Sequence, residues 1–405
     1  MSKAPKLRFK EFSGEWESKC LEELFTFKNG LNKEKEFFGK GSPIVNFTDV
    51  YKNRGLKLED IKGLVDVNEK ELENYNVSKG DVFFTRTSET IDDIGMSSVI
   101  LDEVKNTVFS GFVLRARPKN DILADKFKKY CFSTFNARKE IVTKSSFTTR
   151  ALTSGTLLNG VEINYPSKEE QEKIASFISL IDDKISLQSE KVEALKDYKK
   201  GMMQKIFSRE LRFKDDEGRD YPDWEEKKLG NYIVEYKEKT IENNQYPVLT
   251  SARQGIVLQK DYFKDRQVTT DDNIGYHIIP RGYLTYRSRS DDATFKFNQN
   301  NIIDIGIVSY FYPVFKFNED LNSIYALTYM NNYLGYQIRR EIVGTSQLVL
   351  SLNKLKDLKI KVPSIEEQNK IGNLLDSLEN KIKKEQEKLD SLNEYKEGLL
   401  QQMFI

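Results

Sequence analysis

The chain has 405 residues, which exceeds one typical hydrophobic core and predicts two or three domains. Apolar residues make up 38% and charged residues 31%, as in folded proteins, and a formal net charge of +1 excludes nucleic-acid binding through bulk positive charge. With two cysteines, no apolar signal segment and no run of 18 apolar residues, we expect a cytoplasmic protein without a disulfide framework or a membrane partner.

Residues 1–165 predict a first globular domain of mixed α and β structure. Short runs rich in aromatic and β-branched residues predict strands at 82–85 and 108–114. A helical segment is expected at about 125–142, and a polar loop follows it at 143–150. A short strand at 163–166 then ends in a proline, which stops the preceding element.

Residues 166–208 predict one long helix. Ser167 is an N-cap candidate, and Glu170 three residues later completes a capping-box pattern. Apolar residues then alternate in steps of three and four, with charged residues on the other faces, which is the pattern of a coiled-coil seam. The seam residues of this helix are Ile174, Ile178, Ile181, Ile185, Val192 and Leu195.

Residues 209–362 predict a second globular domain on the same plan. The sequence LRFK at 7–10 returns at 211–214, and the GDVFF sequence at 80–84 is echoed by GYLTY at 282–286. Strands are expected at 283–286 and 302–317, a helical segment at about 321–343, a polar loop at 344–347 and a short strand at 360–363. Each half therefore consists of a globular domain followed by a long helix.

The second long helix, residues 363–405, aligns with the first at a constant offset of 197 residues, with identity at 17 of 42 positions. A gapless match of this length indicates one structural unit used twice. Neither helix can bury its seam alone, and an antiparallel pair needs the shorter connection. The seam residues of the second helix are Ile371, Leu375, Leu378, Ile382, Leu389 and Leu392.

The predicted fold class is therefore α+β, with two dissimilar globular domains joined by two long helices that form an antiparallel coiled coil. Internal pseudo-twofold symmetry is expected to relate the halves.

Several kinds of catalytic site are excluded by the residues present. His277 is the single histidine, so a histidine-dependent triad in each half is excluded, and two distant cysteines cannot form an ordinary zinc site. The sequence contains neither a phosphate-binding loop motif nor a glycine-rich dinucleotide motif. We therefore expect no metal site and no catalysis by this chain alone.

Polar stretches in both halves combine arginine, hydroxyl residues and aromatic residues, as surfaces that bind DNA do. For each stretch the alternative is an ordinary polar surface loop, and the sequence leaves both interpretations open. The candidate residues in the first half are Arg86, Thr87, Ser88, Thr90, Lys144, Ser145, Ser146, Thr148, Thr149 and Arg150. Those in the second half are Arg253, Tyr286, Arg287, Ser288, Arg289, Thr345, Ser346 and Gln347.

A motif at the start of each long helix carries a family resemblance. A strand, a proline and then an E-x-Q-x-x-I pattern occur at 163–174 and again at 360–371, where they follow a GTS turn at 344–346. With these motifs the whole chain resembles the specificity (S) subunits of type I restriction–modification systems. One departure is the sequence SSF at 145–147, where the family more often has a Gly-Ser/Thr turn.

The resemblance implies that two target recognition domains each recognise one half of a split, asymmetric site in double-stranded DNA. It also implies that the coiled coil sets the spacing and docks methyltransferase (M) subunits, which supply S-adenosylmethionine chemistry. Restriction (R) subunits would add ATP-driven translocation and cleavage, with Mg also held by the partner subunits. No cofactor is expected in this chain.

Two other functions are considered. A coiled-coil adaptor with two protein- or ligand-binding domains fits the same repeat. A fused restriction–methylation enzyme is disfavoured, because the Asn-Pro-Pro-aromatic methylation motif is missing from the sequence.

Overall fold

The computed structural model describes residues 4–147, 149–263, 272–344 and 347–405. The chain divides into two compact units, and each long helix contributes residues to both. Unit 1 comprises residues 1–190 and 386–405, and unit 2 comprises residues 191–385. This division follows contacts between residues and does not test the domain boundaries expected from the sequence, which stay predictions. Within the described ranges, no helix is both long enough and apolar enough to cross a membrane.

Unit 1 combines short strands with short helices and the first part of one long helix. Its strands are β1 (Glu17–Cys20), β2 (Phe25–Asn29), β3 (Phe38–Val45), β4 (Gly55–Leu56), β5 (Gly63–Val65), β6 (Val82–Thr85), β7 (Thr87–Ser88), β8 (Ser97–Ile100), β9 (Val108–Phe109), β10 (Val113–Pro118), β11 (Ser146–Phe147), β12 (Ala151–Leu152) and β13 (Glu162–Tyr165). Its helices are α1 (Leu21–Leu24), α2 (Phe47–Lys52), α3 (Glu69–Asn74), α4 (Asp125–Cys131), α5 (Phe135–Lys144), α6 (Gly155–Asn159) and the start of α7 (Lys168–Phe207).

The main sheet of unit 1 has five strands in the order β2-β10-β6-β8-β4. The central strand β6 is buried along its whole length, because it carries Val82, Phe83 and Phe84 with Thr85. A single residue, Arg86, separates the end of β6 from β7, which belongs to a separate three-stranded sheet in the order β11-β12-β7. The core sheet thus fixes where the chain emerges toward the surface at Thr87 and Ser88.

Unit 2 repeats this plan with shorter strands. Its strands are β14 (Glu225–Lys228), β15 (Ile233–Tyr236), β16 (Leu249–Ala252), β17 (Gly255–Leu258), β18 (His277–Pro280), β19 (Leu284–Thr285), β20 (Arg289–Ser290), β21 (Asn298–Gln299), β22 (Ile305–Val308), β23 (Val314–Phe317), β24 (Leu348–Val349) and β25 (Lys359–Val362). Its helices are α8 (Gln259–Phe263), α9 (Ser323–Tyr333), α10 (Gly335–Glu341), α11 (Leu352–Asp357), the end of α7 and the start of α12 (Ile365–Met403).

The sheet of unit 2 that corresponds to the main sheet of unit 1 has the order β15-β23-β19-β21. A two-stranded sheet, β20-β24, follows β19 as the β7 sheet follows β6. In both units the first strand also pairs with the strand before a long helix: β1 with β13, and β14 with β25.

The two long helices run antiparallel where they meet within each unit. In unit 1 Lys396 pairs with Asp182 at 2.7 Å, and Asn164, just before α7, donates to the carbonyl of Ile405 at the end of α12. In unit 2 Lys191 pairs with Glu385 at 3.0 Å, and Lys199 pairs with Glu379. In each unit, a higher residue number in α7 therefore meets a lower one in α12, which confirms the predicted antiparallel pairing and fold class.

Most of the predicted seam is buried. The remaining seam residues are half-buried, which is expected where a helix pair has no further layer over it. Buried seam residues are Ile174, Ile178, Ile181, Val192, Ile371, Leu375, Leu378 and Ile382, and half-buried ones are Ile185, Leu195, Leu389 and Leu392.

The start of each long helix is held to its unit by the same three side chains. Arg8 donates two hydrogen bonds to the Glu170 carboxylate at 2.8 and 2.7 Å, and Arg212 does the same to Glu367 at 3.2 and 2.8 Å. Gln171 accepts from the amide of Ala124 and donates to the carbonyl of Pro166.

Gln368 makes the matching contacts with the amide of Asn322 and the carbonyl of Pro363. These four acidic and amide side chains are at most 1% exposed. The second glutamate and the glutamine of the EEQ sequence at 169–171 and 366–368 thus join each helix to its globular part, and we call each set of contacts a helix lock.

Two local predictions need correction. Ser167 accepts a hydrogen bond from the amide of Glu170 at 3.4 Å, but the Glu170 carboxylate, expected to complete a capping box, faces Arg8 instead. Each helical segment predicted within a globular domain is broken into two helices, α4 and α5 in unit 1 and α9 and α10 in unit 2. In unit 1 the break occurs because the hydroxyl of Thr134 caps a new helix start by accepting from Ala137.

Candidate nucleic-acid interface

A large open cleft of unit 2, which we call cleft 2, is lined by half of the residues predicted for DNA binding in that half of the chain. Its volume is about 970 Å³, and it opens between β16, β20 and the turn at 309–312. Four predicted residues line it: Arg253, Arg287, Arg289 and Gln347. Aromatic residues from distant parts of the chain complete the wall, among them Tyr262, Tyr276, Tyr310, Phe311 and Tyr312.

Arg289 is held in place by its neighbours in cleft 2. It lies in β20, which pairs with β24 in the register Arg289 to Val349. Its guanidinium lies 3.8 Å from the ring centroid of Phe311, and Nη1 donates to the Gln347 amide oxygen at 3.3 Å. A cation held over an aromatic ring loses little further freedom when it binds a ligand, so Arg289 is pre-organised.

Gly344, close to Gln347 in the sequence, has a backbone conformation that favours glycine. This residue has a φ of +119°, and a Cβ at this position would lie 2.2 Å from the carbonyl oxygen of Gln347. Only glycine fits such a conformation without strain. Thr345 and Ser346, predicted to bind DNA, lie outside the residues that the structure describes.

Arg287 and Arg253 differ in the hydrogen bonds and ion pairs that they make within the protein. Arg287 is exposed, and within the described part of the chain it has no hydrogen-bond or ion-pair partner. Arg253 pairs with Asp292, whose pKa is lowered to about 2 by hydrogen bonds from the Ser290 hydroxyl and the Thr294 amide and by Arg253. Arg287 is therefore the most available arginine for a ligand in cleft 2.

Tyr286 and Ser288 do not present their side chains to cleft 2. Tyr286 is fully buried, and its hydroxyl donates to the carbonyl of Leu350 at 2.9 Å. Burial raises the pKa of Tyr286 far above its usual value. The backbone of Ser288 bonds to Phe311 and Leu350. The expectation that Tyr286 lies on the binding surface is therefore corrected, because the residue belongs to the core beneath it.

Unit 1 has a smaller cleft at the corresponding sheet, which we call cleft 1. Its volume is about 490 Å³, and Thr87, Ser88, Thr90 and Arg150 line it. The strand β7, with Thr87 and Ser88, pairs with β12, which begins one residue after Arg150. Exposed or stacked aromatic residues complete the wall: Phe47, Tyr51 and Phe112.

Arg86 points away from cleft 1. Its Nη1 donates to the carbonyl of Gly111 at 2.9 Å, and it lines a different depression together with Lys28 and Lys119. The amide of Arg86 bonds to the carbonyl of Phe112, as the amide of Ser288 bonds to that of Phe311. Arg86 is therefore the structural counterpart of Ser288 rather than of Arg287, and Thr87 is the counterpart of Arg289.

Of the loop predicted after α5, one end belongs to the helix and the other end lines cleft 1. Lys144 is the last residue of α5, and the Ser145 hydroxyl donates back to the carbonyl of Ile141. Ser146 lies in β11, whereas Thr149 and Arg150 are exposed. Thr148 lies outside the described residues.

The sequence analysis missed the aromatic walls of both clefts and the nearby Lys296. Phe112 is 68% exposed and Tyr310 is 63% exposed, an unusual position for rings of this size. A signal was available, since an aromatic residue follows a serine by two positions in both halves, at Ser110 and Phe112 and at Ser309 and Phe311. Lys296 lies on the rim of cleft 2. Among the described residues, no cluster of histidine, cysteine and acidic side chains could hold a metal ion.

Exposed apolar residues of the long helices are further candidates for contact with a protein partner, three in unit 1 (Leu180, Leu187 and Tyr395) and one in unit 2 (Tyr198). Leu180 and Leu187 are 68% and 66% exposed and lie two turns apart on α7. Tyr198 and Tyr395 are each 55% exposed. Large apolar side chains on helices already paired through another face indicate an interaction site.

Comparison with known proteins gives one family. The family model described as type I restriction modification DNA specificity domain matches residues 13–197 and 221–394. The type I restriction enzyme MjaIX specificity subunit of Methanocaldococcus jannaschii is 22% identical over 424 residues, covering 95% of this chain and 92% of that protein.

The putative MjaX specificity subunit of the same organism is 24% identical over 234 residues, 55% of this chain, and the match spans about half, 53%, of that relative's length. Among solved structures, the type I restriction–modification S subunit from M. genitalium is 18% identical, with a TM-score of 0.59 and 99% of each chain covered. A chain from a structure of a type I system that concerns complex assembly is 16% identical, with a TM-score of 0.53, 95% of this chain and 96% of that chain covered.

Proposed function

The chain belongs to the type I restriction modification DNA specificity family, and on that premise we propose that cleft 1 and cleft 2 each bind one half of a bipartite, asymmetric site in double-stranded DNA. One observation carries the proposal. The two clefts form at the same place in two copies of one fold, yet different side chains line them, with Thr87 in cleft 1 where Arg289 lies in cleft 2. Equivalent positions with different chemistry are what recognition of two unlike half-sites requires.

The chemistry of cleft 2 suits the edges of base pairs. Arginine donates two parallel hydrogen bonds to O6 and N7 of guanine in the major groove, and glutamine can bind adenine in the same way. Arg287 is free to make such a contact, whereas Arg289 and Gln347 are held together over Phe311.

Cleft 1 has a different character. Its threonine and serine hydroxyls can bond to bases or phosphates, and the exposed ring of Phe112 offers an apolar contact of the kind that thymine methyl groups accept. We expect this half-site to be less guanine-dependent than the one bound by cleft 2.

The long helices would dock the partner subunits. Leu180, Leu187, Tyr198 and Tyr395 supply exposed apolar area along the helices for M subunits. S-adenosylmethionine would then be bound by the M subunits, and ATP and Mg would be bound in complexes that include R subunits. A net charge of +1 fits a chain that shares its phosphate contacts with such partners.

The proposal is tested by the variant Arg287→Ala, assayed in complex with the M subunit from the same source. Once the bipartite site has been mapped from genomic methylation, binding is measured on DNA with either half-site altered. A direct guanine contact predicts a loss of roughly 1–3 kcal/mol, confined to one half-site.

Arg339→Ala is the matched control, because Arg339 is an exposed arginine of α10 in the same unit that does not line cleft 2. Equal weakening on every sequence would make Arg287 a phosphate contact. A wild-type complex that binds scrambled half-sites as well as its own would refute the proposed function and favour a coiled-coil adaptor.

A further inference from the structure

A groove rich in lysine lies beside cleft 2 within unit 2. It has a volume of about 350 Å³, and four lysines line it: Lys196, Lys199, Lys200 and Lys296. The first three project from α7, and residues of α9 form the opposite wall. Lys296 also lines cleft 2, so the lysine groove and the cleft lie side by side and share this residue.

The charge in the lysine groove is not balanced by the protein. Lys196 pairs with Glu193 and Lys199 with Glu379. Lys200 and Lys296 have no ion-pair or hydrogen-bond partner among the residues that the structure describes. Partial desolvation, and then the charge of Lys199, lower the pKa of Lys296. Positive charges therefore crowd together, and an anion between them would relieve the repulsion.

At the corresponding place in unit 1 the lysines are neutralised, so the fold itself does not require an excess of positive charge there. There Lys396 and Lys129 both pair with Asp182, at 2.7 and 2.5 Å, and the Tyr130 hydroxyl donates to the same carboxylate at 2.8 Å. Lys396 and Asp182 occupy the repeat positions of Lys199 and Glu379. Leu327 and Thr328 line the groove in unit 2, and among the described residues Lys199 is the one cation that forms an ion pair with Glu379.

We propose that the lysine groove binds backbone phosphates of the DNA that flank the half-site held in cleft 2. This inference rests on the proposed function. Lys196 and Lys200 lie about one helical turn, roughly 6 Å, apart on α7. Phosphates of one DNA strand advance about 3.4 Å each along the duplex axis, so the two lysines span about two of them. A duplex in cleft 2 meets the groove at Lys296, which favours DNA over an acidic protein surface.

The test uses the double variant Lys200→Gln and Lys296→Gln, because these two lysines hold no other side chain in place. Binding of the bipartite site by the complex with the M subunit is measured by fluorescence anisotropy over a range of salt concentrations. Each phosphate contact contributes about 0.9 to the slope of log K against log salt. We therefore expect the slope to fall by roughly 1.8.

The double variant Lys383→Gln and Lys384→Gln is the control, since it removes the same charge from exposed positions of α12 in unit 2 outside the groove. An unchanged slope, or an equal fall in the control, would overturn the inference. Loss of M-subunit assembly in this variant but not in the control would assign the groove to a protein partner and overturn the inference as well. If the wild-type complex does not discriminate half-sites, the proposed function fails, whereas an unchanged slope in a discriminating complex refutes only the groove.

Discussion

Units 1 and 2 use the same side chains where the long helices attach and different ones where the clefts open. The helix locks repeat residue for residue, as Arg8, Glu170 and Gln171 in unit 1 and Arg212, Glu367 and Gln368 in unit 2. One residue beyond the buried strands β6 and β19, the similarity ends. A buried ion pair tolerates few changes of geometry, whereas a surface strand tolerates many.

The same contrast appears in how each unit treats charge. Unit 1 neutralises Asp182 with two lysines and a tyrosine hydroxyl. In unit 2, Lys200 and Lys296 have no ion-pair partner within the described ranges, and the larger cleft beside them contains three arginines. Cleft 2 is thus the more cationic of the two. This difference suggests that unit 2 supplies more of the phosphate contacts and unit 1 fewer, although both are built on one scaffold.

The largest expected effect comes from breaking the shared seam. Val192 is 1% exposed on α7, so Val192→Asp buries a carboxylate and should cost roughly 3 kcal/mol or more. Hydrogen–deuterium exchange should show lost protection at 191–207 in α7 and in the first half of α12. Val192 is a better probe than the half-buried Leu195 or Leu392.

Leu187→Asp is the control for this variant, because it makes the same kind of change on the same helix at a side chain that is 66% exposed. It should keep both units folded and weaken only the association with the M subunit. Equal loss of protection in the two variants would contradict a seam that runs through Val192.

The helix locks offer the next largest effect and a direct comparison of the units. Glu367→Gln removes the charge that pairs with Arg212 and should cost about 2–3 kcal/mol, below the usual figure for a buried pair because Arg212 is partly exposed. Glu367 also accepts a hydrogen bond from Trp224 Nε1 at 3.0 Å, whereas Trp16 Nε1 in unit 1 is buried without a partner. Glu170→Gln should therefore cost about 1 kcal/mol less. Urea unfolding of the two variants measures the difference, and equal costs would show that the tryptophan bond contributes nothing.

The sequence predicted the parts of the fold that depend on local periodicity. The repeat, the seam and the antiparallel pairing follow from spacing along one helix, and the structure confirms them in each unit. The structure places Arg86 outside cleft 1 and Tyr286 in the core, whereas their part in DNA binding stays a prediction. Neighbouring residues of an extended chain point to opposite faces, so a shift of one residue in the alignment changes which side chain faces the cleft. The sequence alignment pairs Arg86 with Arg287 and so hides that shift. The hydrogen bonds reveal it, because the carbonyl of Phe112 accepts from Arg86 whereas that of Phe311 accepts from Ser288.

The walls of the clefts could not be assembled from the sequence for a related reason. Gln347 and Phe311 lie 36 residues apart in the sequence and meet only through Arg289, which β20 positions by pairing with β24. Pairing between strands of two residues is set by the surrounding sheets rather than by the propensity of the strands themselves. The EEQ sequence was visible, but Arg8, the partner of its second glutamate 162 residues away, was not.

The smallest expected effect separates the two units by their central ion pairs. Asp182 is partly buried and accepts from Lys129, Tyr130 and Lys396, and although burial raises its pKa, the hydrogen bonds from the two lysines lower that pKa overall. Its stabilising contribution is therefore present above the pKa of an unfolded aspartate and is lost as the pH falls through the lower folded value. Asp182→Asn should cost about 1 kcal/mol near neutral pH, and this cost should shrink in acid. Glu379→Gln should cost less than about 0.5 kcal/mol, since Glu379 is 62% exposed. Both costs are measured by urea unfolding. Equal costs would mean that Glu379 binds the lysines of unit 2 as strongly as Asp182 binds those of unit 1. The lysine groove would then have no excess positive charge to offer a ligand.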